Sequence, residues 1–150
     1  MAFRLSTGLR NALLGEDDFK SLMNNGWLDI FTGSQPASAD AIEPGTKLVR
    51  VSSTSGIGVG DGCKFGTVGS GVLPIGTPSW QGVVLVTGVA GWGRYYASSG
   101  TGGMAGTSGT ALRFDFSVGV SGADLNLSHT NLTATAAISI STANVTQPAE

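Results

Sequence analysis

One cysteine, one histidine and a charged content of only 12% leave this 150-residue chain with few groups that do chemistry. A lone Cys63 excludes an intrachain disulfide. Cys63 and His129 together cannot furnish the four ligands of a structural zinc site. No G-x-S-x-G elbow, P-loop or G-x-G-x-x-G is present, so the common signatures for acyl transfer and for nucleotide binding are missing. No apolar run approaches the roughly 20 residues of a membrane span. Arg4 and Arg10 precede interrupted apolar positions, so a secretory core is not expected, and Glu16, Asp17 and Asp18 argue against a mitochondrial presequence. A formal charge of −2 and a pI near 5.2 give no basic footprint for nucleic acid.

What the chain has instead is glycine, 24 residues of it, beside 41% hydrophobic residues. The hydrophobic share and a clear strand pattern argue for a folded β protein rather than a disordered one. Its length suits one domain. The charge is unevenly placed: from Phe65 to Glu150 the basic residues are Arg94 and Arg113, and the acidic ones Asp115, Asp124 and Glu150. A free monomer normally relies on dispersed surface charge for solubility, whereas a subunit packed among others needs less of it.

The richest stretch is Trp80 to Ser98. It predicts a strand over Val83–Thr87, a reversal over Gly88–Gly91 and a second strand carrying Trp92, Tyr95 and Tyr96. The continuous run Val83-Val84-Leu85-Val86 suits a strand covered on both faces. Upstream, Ser6 or Thr7 can cap a short helix ending at Leu14, with Gly15 as a left-handed stop. Asp17 can cap a second helix over Asp18–Asn24, before Asn25-Gly26. Both are too short to be stable alone and must dock on something.

Residues 1–26 therefore read as a helical arm and 27–150 as a β domain. Trp27–Phe31 and Thr46–Ser52 read as strands around a Thr32–Gly45 loop. Cys63–Val68 and Val72–Ile75 could pair about Gly69–Gly71, and Ser98–Gly109 reads as a long loop. Phe114, Phe116, Val118 and Val120 alternate with Arg113, Asp115 and Ser117, placing the charged set on the outer face. Leu125 and Leu127 are in phase, and Leu132, Ala134, Ala136, Ile138 and Ile140 alternate with Ser and Thr. Seven to nine short strands between Gly/Pro turns predict a mainly β fold, a β-sandwich, with a barrel as the alternative.

Candidate chemistry is thin. His129 reads as a turn residue, Gly58–Gly62 lacks the acidic run of a calcium loop, and Asp115 and Asp124 read as solvated rather than as a hydrolytic pair. The N-glycosylation patterns at Asn126, Asn131 and Asn144 are accounted for by a Ser/Thr-rich composition. Trp80, Trp92, Tyr95 and Tyr96 could form a sugar-stacking platform, but core or subunit contact is the commoner use of such rings.

Four stretches carry a resemblance: Phe3-Arg4-Leu5-Ser6-Thr7-Gly8-Leu9-Arg10-Asn11, Gly33-Ser34-Gln35-Pro36-Ala37-Ser38-Ala39-Asp40, Gly91-Trp92-Gly93-Arg94-Tyr95 and Ser121-Gly122-Ala123-Asp124-Leu125-Asn126-Leu127. Together they are similar to a family of small virion-associated proteins of tailed bacteriophages and prophages. The resemblance implies a virion structural protein, not an enzyme and without a cofactor or metal, made in the bacterial cytoplasm. The expected role is a capsid decoration (cement) protein at the capsid surface. Its partners would be the major capsid protein or copies of itself in a homo-oligomer, with no nucleic acid and no membrane. A tail, neck or head-fibre component is the near alternative, and a carbohydrate-binding module for host attachment the distant one.

The expected protein interface comprises Phe3, Leu5, Leu9, Leu13 and Phe19 as apolar anchors and Arg4 and Arg10 as partners of acidic groups, with Trp92 and Tyr95. On this reading, removing the first 25 residues abolishes shell binding and leaves the β domain folded.

Overall fold

A computed structural model describes residues 3–15, 17–54, 61–98 and 111–146. It opens with a two-residue strand, β1 (Arg4–Leu5), leading into helix α1 (Thr7–Leu14). Ser6 is the expected cap: its backbone is extended and its hydroxyl accepts from the Leu9 N–H. The same buried hydroxyl donates to the Ala111 carbonyl and accepts from the Arg113 N–H. The start of the helix is thereby tied to a strand more than a hundred residues away. Gly15 closes α1 at φ −83°, not in the left-handed region. Helix α2 (Phe19–Met23) is capped by Asp18, one residue later than expected, and the left-handed residue that turns the chain after it is Asn25, at φ 64°.

The strands that follow are β2 (Trp27–Thr32), β3 (Lys47–Val51), β4 (Val72–Pro74), β5 (Trp80–Val83), β6 (Gly88–Tyr96), β7 (Arg113–Gly119), β8 (Leu125–Asn126), β9 (Asn131–Leu132), β10 (Ala137–Ile140) and β11 (Asn144–Thr146). The main sheet has the order β1-β7-β6-β2-β3, with β9 also pairing β6 and β8 running parallel to β7. Two antiparallel ribbons, β5–β10 and β4–β11, complete the described strands. Bridges Ser52–Gln81 and Val49–Val84 link the first ribbon to the β3 edge. The fold is mainly β, in several sheets not closed into a barrel, with a short helical head.

The head is part of this structure and not a detached arm. β1 adds to the edge of β7, Leu9 and Met23 are fully buried in the core, and the Tyr95 hydroxyl donates to the Met23 carbonyl at 2.9 Å. A chain cut at residue 25 loses all three, so the expectation that the remainder would stay intact does not suit this packing.

The predicted hairpin of Val83–Thr87 with the aromatic strand does not form. Both edges of β6 are occupied, by β2 and β7, so the preceding strand ends at Val83 and pairs with β10 instead. The apolar run is not covered on both faces either: Val84 is buried, while Val83 (47%), Leu85 (59%) and Val86 (45%) are exposed. The last alternation is also interrupted, because Thr135 takes a left-handed conformation (φ 71°) and separates β9 from β10. Val120 falls beyond β7 and is exposed. The turn at Ser70-Gly71 forms with positive φ at both residues, but beyond two isolated bridges β4 finds its ladder with β11. The long-loop expectation over residues 98–109 lies, from residue 99 on, outside the described residues.

One face of the main sheet is conventional. Leu28, Ile30, Val49, Val51, Tyr95, Phe114 and Phe116 are buried there, with Phe65, Leu73 and Trp80 joining the same cluster. Tyr95 stacks on Phe114 at 5.1 Å, and Phe65 and Phe19 close in from the sides. Gly93 is required where it is: a Cβ there would meet the Phe116 ring at 2.6 Å.

Candidate functional site

The opposite face of the sheet is charged, and its centre, Asp29, Arg94, Arg113 and Asp115, is buried too. The register sets Arg50, Asp29, Arg94, Asp115 and Arg4 in one row across β3, β2, β6, β7 and β1, alternating in sign. Arg94 forms a two-point fork with Asp115, at 2.5 and 2.8 Å, and neither side chain is exposed. Arg50 forks onto Asp29 at 2.7 and 2.6 Å, with Lys47 at 3.5 Å from the same carboxylate. Such bidentate pairs are the strong form of the charge-assisted hydrogen bond.

Loop residues 33–46, between β2 and β3, supply further partners for this layer. The Arg94 guanidinium donates to the Ala41 carbonyl at 2.8 Å and to Glu43 at 2.9 Å. Arg113 donates to the Ala39 and Asp40 carbonyls, and the Tyr96 hydroxyl to Glu43. From its other side the loop grips the head: Asp40 accepts from the Thr7 N–H and hydroxyl, and the Pro36 carbonyl from Arg4. The Trp92 ring stacks on Phe31 at 4.6 Å with Arg94 over it.

At Glu43, Asp40, Asp115 and Arg113 burial works against ionisation, and its balance with the neighbouring groups sets the direction of each shift. For Glu43, hydrogen bonds from its own N–H and from Arg94, with the charge of Arg94, overcome burial and hold the carboxyl below its ordinary value. Asp40 is likewise held low despite burial, through Thr7. At Asp115 burial wins and the carboxyl rises above its ordinary value despite the Arg94 fork. Arg113 is lowered, by burial and by the neighbouring charge of Arg94. Burial also pushes the Cys63 thiol up, so it is a core group and not a nucleophile.

The sequence expectation of an outward-facing Arg113, Asp115 and Ser117 is therefore corrected: the first two are fully buried and Ser117 is half-buried. Asp124 is not paired with Asp115 for hydrolysis. It accepts from the Ser117 N–H at 2.9 Å and hydroxyl at 2.7 Å, holding the turn between β7 and β8. His129 is exposed and lies 3.0 Å from the adjacent Ser128 hydroxyl. Among the described residues no group of three or more His, Cys, Asp or Glu is placed to hold a metal. Of the weak calcium-loop match, Gly58–Gly60 lie outside the described residues, and Asp61 accepts from the Thr54 hydroxyl.

The nine expected interface residues do not come together on one surface. Leu9, Trp92 and Tyr95 are fully buried, and a side chain inside this core cannot meet a partner. Leu5, Leu13 and Phe19 are half-buried against the core. Phe3 is partly exposed over Phe114, at 4.9 Å, and Arg4 is half-buried on Pro36. Arg10 is exposed, with one hydrogen bond to Thr7. The sugar-stacking platform does not form, because Trp80, Trp92, Tyr95 and Tyr96 are all buried.

The stretch the sequence did not point to is apolar and carries no charged residue of its own. Val83, Leu85, Val86 and Val89 (56%) are all exposed within seven residues joining β5 to β6. Of the charged residues between 65 and 146, Arg94, Arg113 and Asp115 are fully buried and Asp124 is half-buried. No local signal marks the stretch: the run has the composition of a covered strand, and the exposure of Val83, Leu85 and Val86 follows from which strands pair.

No family model matches the chain, and neither a curated protein nor a solved structure is significantly similar to it.

Proposed function

We propose that this chain is a virion structural protein, a decoration or cement subunit of a tailed-phage head, which acts by contact and not by catalysis. The observation that carries the reading is the surface of residues 65–146, which retains Asp124 as its one charged side chain not fully buried and displays the apolar stretch 83–89. A surface of this kind suits a protein whose neighbours cover it, since exposed apolar clusters mark contact sites. The resemblance of its opening, loop, hairpin and late segments to phage virion proteins supplies the kind of assembly.

In this reading a decoration subunit stabilises the shell because it binds the assembled form and not its parts, which shifts the equilibrium by mass action. The contact surface moves from the helical head to the 83–89 stretch, with Phe3 and Arg10 as the accessible remainder of the head. Quantitative mass spectrometry of purified particles, with a density map, tests it. A copy number close to that of the shell protein, with density on the shell, is the expected outcome. A few to a dozen copies, at the tail, neck or a head fibre, would replace the decoration role with one of those. Absence from particles would end the proposal.

A further inference from the structure

We propose that two copies of this chain join edge to edge through β10, about a two-fold axis at Ser139; the inference deepens the structural-subunit reading and rests on it. β10 pairs with β5 on one side and with no other strand among the described residues. The register fixes what its free side presents. Gln81 exchanges both backbone hydrogen bonds with Ser52, so it turns away from Ser139, its neighbour across the ribbon. In an antiparallel ladder such a pair points its N–H and C=O groups outward on both strands, so those of Ser139 face the open edge. Ala137, opposite Val83, falls in the same phase. Residues 126–129 and Leu132 line one cavity together with residues 137–142.

A second copy is the occupant because the strand is its own complement. Antiparallel pairing about Ser139 sets Ser139 against Ser139, Ile138 against Ile140, and Ala137 against Ser141. Each position meets one of its own size, and none of them is charged, so no like charges oppose each other across the axis. Solvent-exposed edges are normally guarded by Lys, Pro or a charge on the strand, and β10 carries none. A self-complementary patch on a two-fold axis is the requirement for an isologous dimer.

Ser139 is exposed, on the side away from the core, so its substitution leaves the ribbon with β5 intact. The full chain, and its Ser139→Lys and Ser139→Glu variants, would be compared by sedimentation velocity, with far-ultraviolet circular dichroism to establish that each is folded. The wild type is expected to be a dimer and each variant alone a monomer, because two like charges would face each other. Mixing the two variants is expected to restore a dimer of one of each.

A monomeric wild type would overturn the pairing, as would a dimer indifferent to either variant or a mixture that stays monomeric. Particle incorporation is scored separately. A monomer that still enters virions sinks the pairing and leaves the structural role, and a Ser139-dependent dimer absent from virions does the reverse.

Discussion

The charged row beneath loop 33–46 and the apolar stretch 83–89 invert the usual arrangement, one burying what is ordinarily outside and the other exposing what is ordinarily inside. The difference lies in how many partners each finds within the chain. Arg94 has Asp115, Glu43 and a backbone carbonyl, so its charge is satisfied where it sits. Leu85 has a backbone bond to Leu48 and a side chain left in solvent. Most of the polar layer is satisfied within one molecule, with Arg113 Nη1 and Trp92 Nε1 left over among the described residues; the apolar stretch has no such cover.

The alternating row also fixes the strand register. Slipping any one strand by a residue would turn its charge into the apolar face and a core side chain into the charged one. Breaking the row is the largest test of the comparison. Asp115→Ala leaves Arg94 buried with its best partner gone, and removing one half of a buried pair costs about 3–5 kcal/mol. Denaturant unfolding of this variant should show a loss of that size. A loss below about 1 kcal/mol would be the value of a solvent-exposed pair and would remove the buried layer from the account.

Gly93→Ala tests the apolar face of the same strand. The added methyl would meet the Phe116 ring, and overpacking a filled core typically costs about 1–3 kcal/mol. If unfolding midpoints show Asp115→Ala and Gly93→Ala ranked in the opposite order, the charged face is the more forgiving of the two.

How much of this was legible follows from the same contrast. The Ser6 cap, the first two long strands and the mainly β fold are set by local residues, and they appear within a residue or so of expectation. The fate of Arg94, Arg113 and Asp115 is set by which strands become neighbours and by the loop that supplies their partners. Alternation with Phe said only that they share a face. The aromatic residues Trp92 and Tyr96, two positions either side of Arg94, were the available sign that this face is enclosed. The 83–87 stretch was misread for the opposite reason: its composition suits a covered strand, and nothing local tells that β6 has both edges occupied.

A pH titration of Glu43 gives a smaller effect with a definite sign. Its carboxyl is held below the ordinary value of 4.5, so its contribution is present above that pH and fades as pH falls through the lower folded value. Asp40 acts in the same direction, while the raised Asp115 opposes both, since protonation there relieves a burial cost. Thermal melts from pH 7 downward should show stability declining in the acid range. Glu43→Gln should be less stable than wild type at neutral pH and show a shallower acid decline. An unchanged acid slope would assign the decline to other carboxyls.

The smallest expected effect on folding carries the most functional information. Leu85→Asp places a charge where the side chain is already more than half exposed, and its backbone bond to Leu48 is untouched. Surface changes of this kind usually move stability by no more than about 0.5 kcal/mol. A neighbouring subunit seated on the stretch would have to bury that charge unpaired, so attachment to the particle should fall sharply while the melting temperature stays close to wild type. If attachment survives at the wild-type level, the apolar stretch is not the contact. The exposed Phe3 and Arg10 of the head would then be the surface to test next.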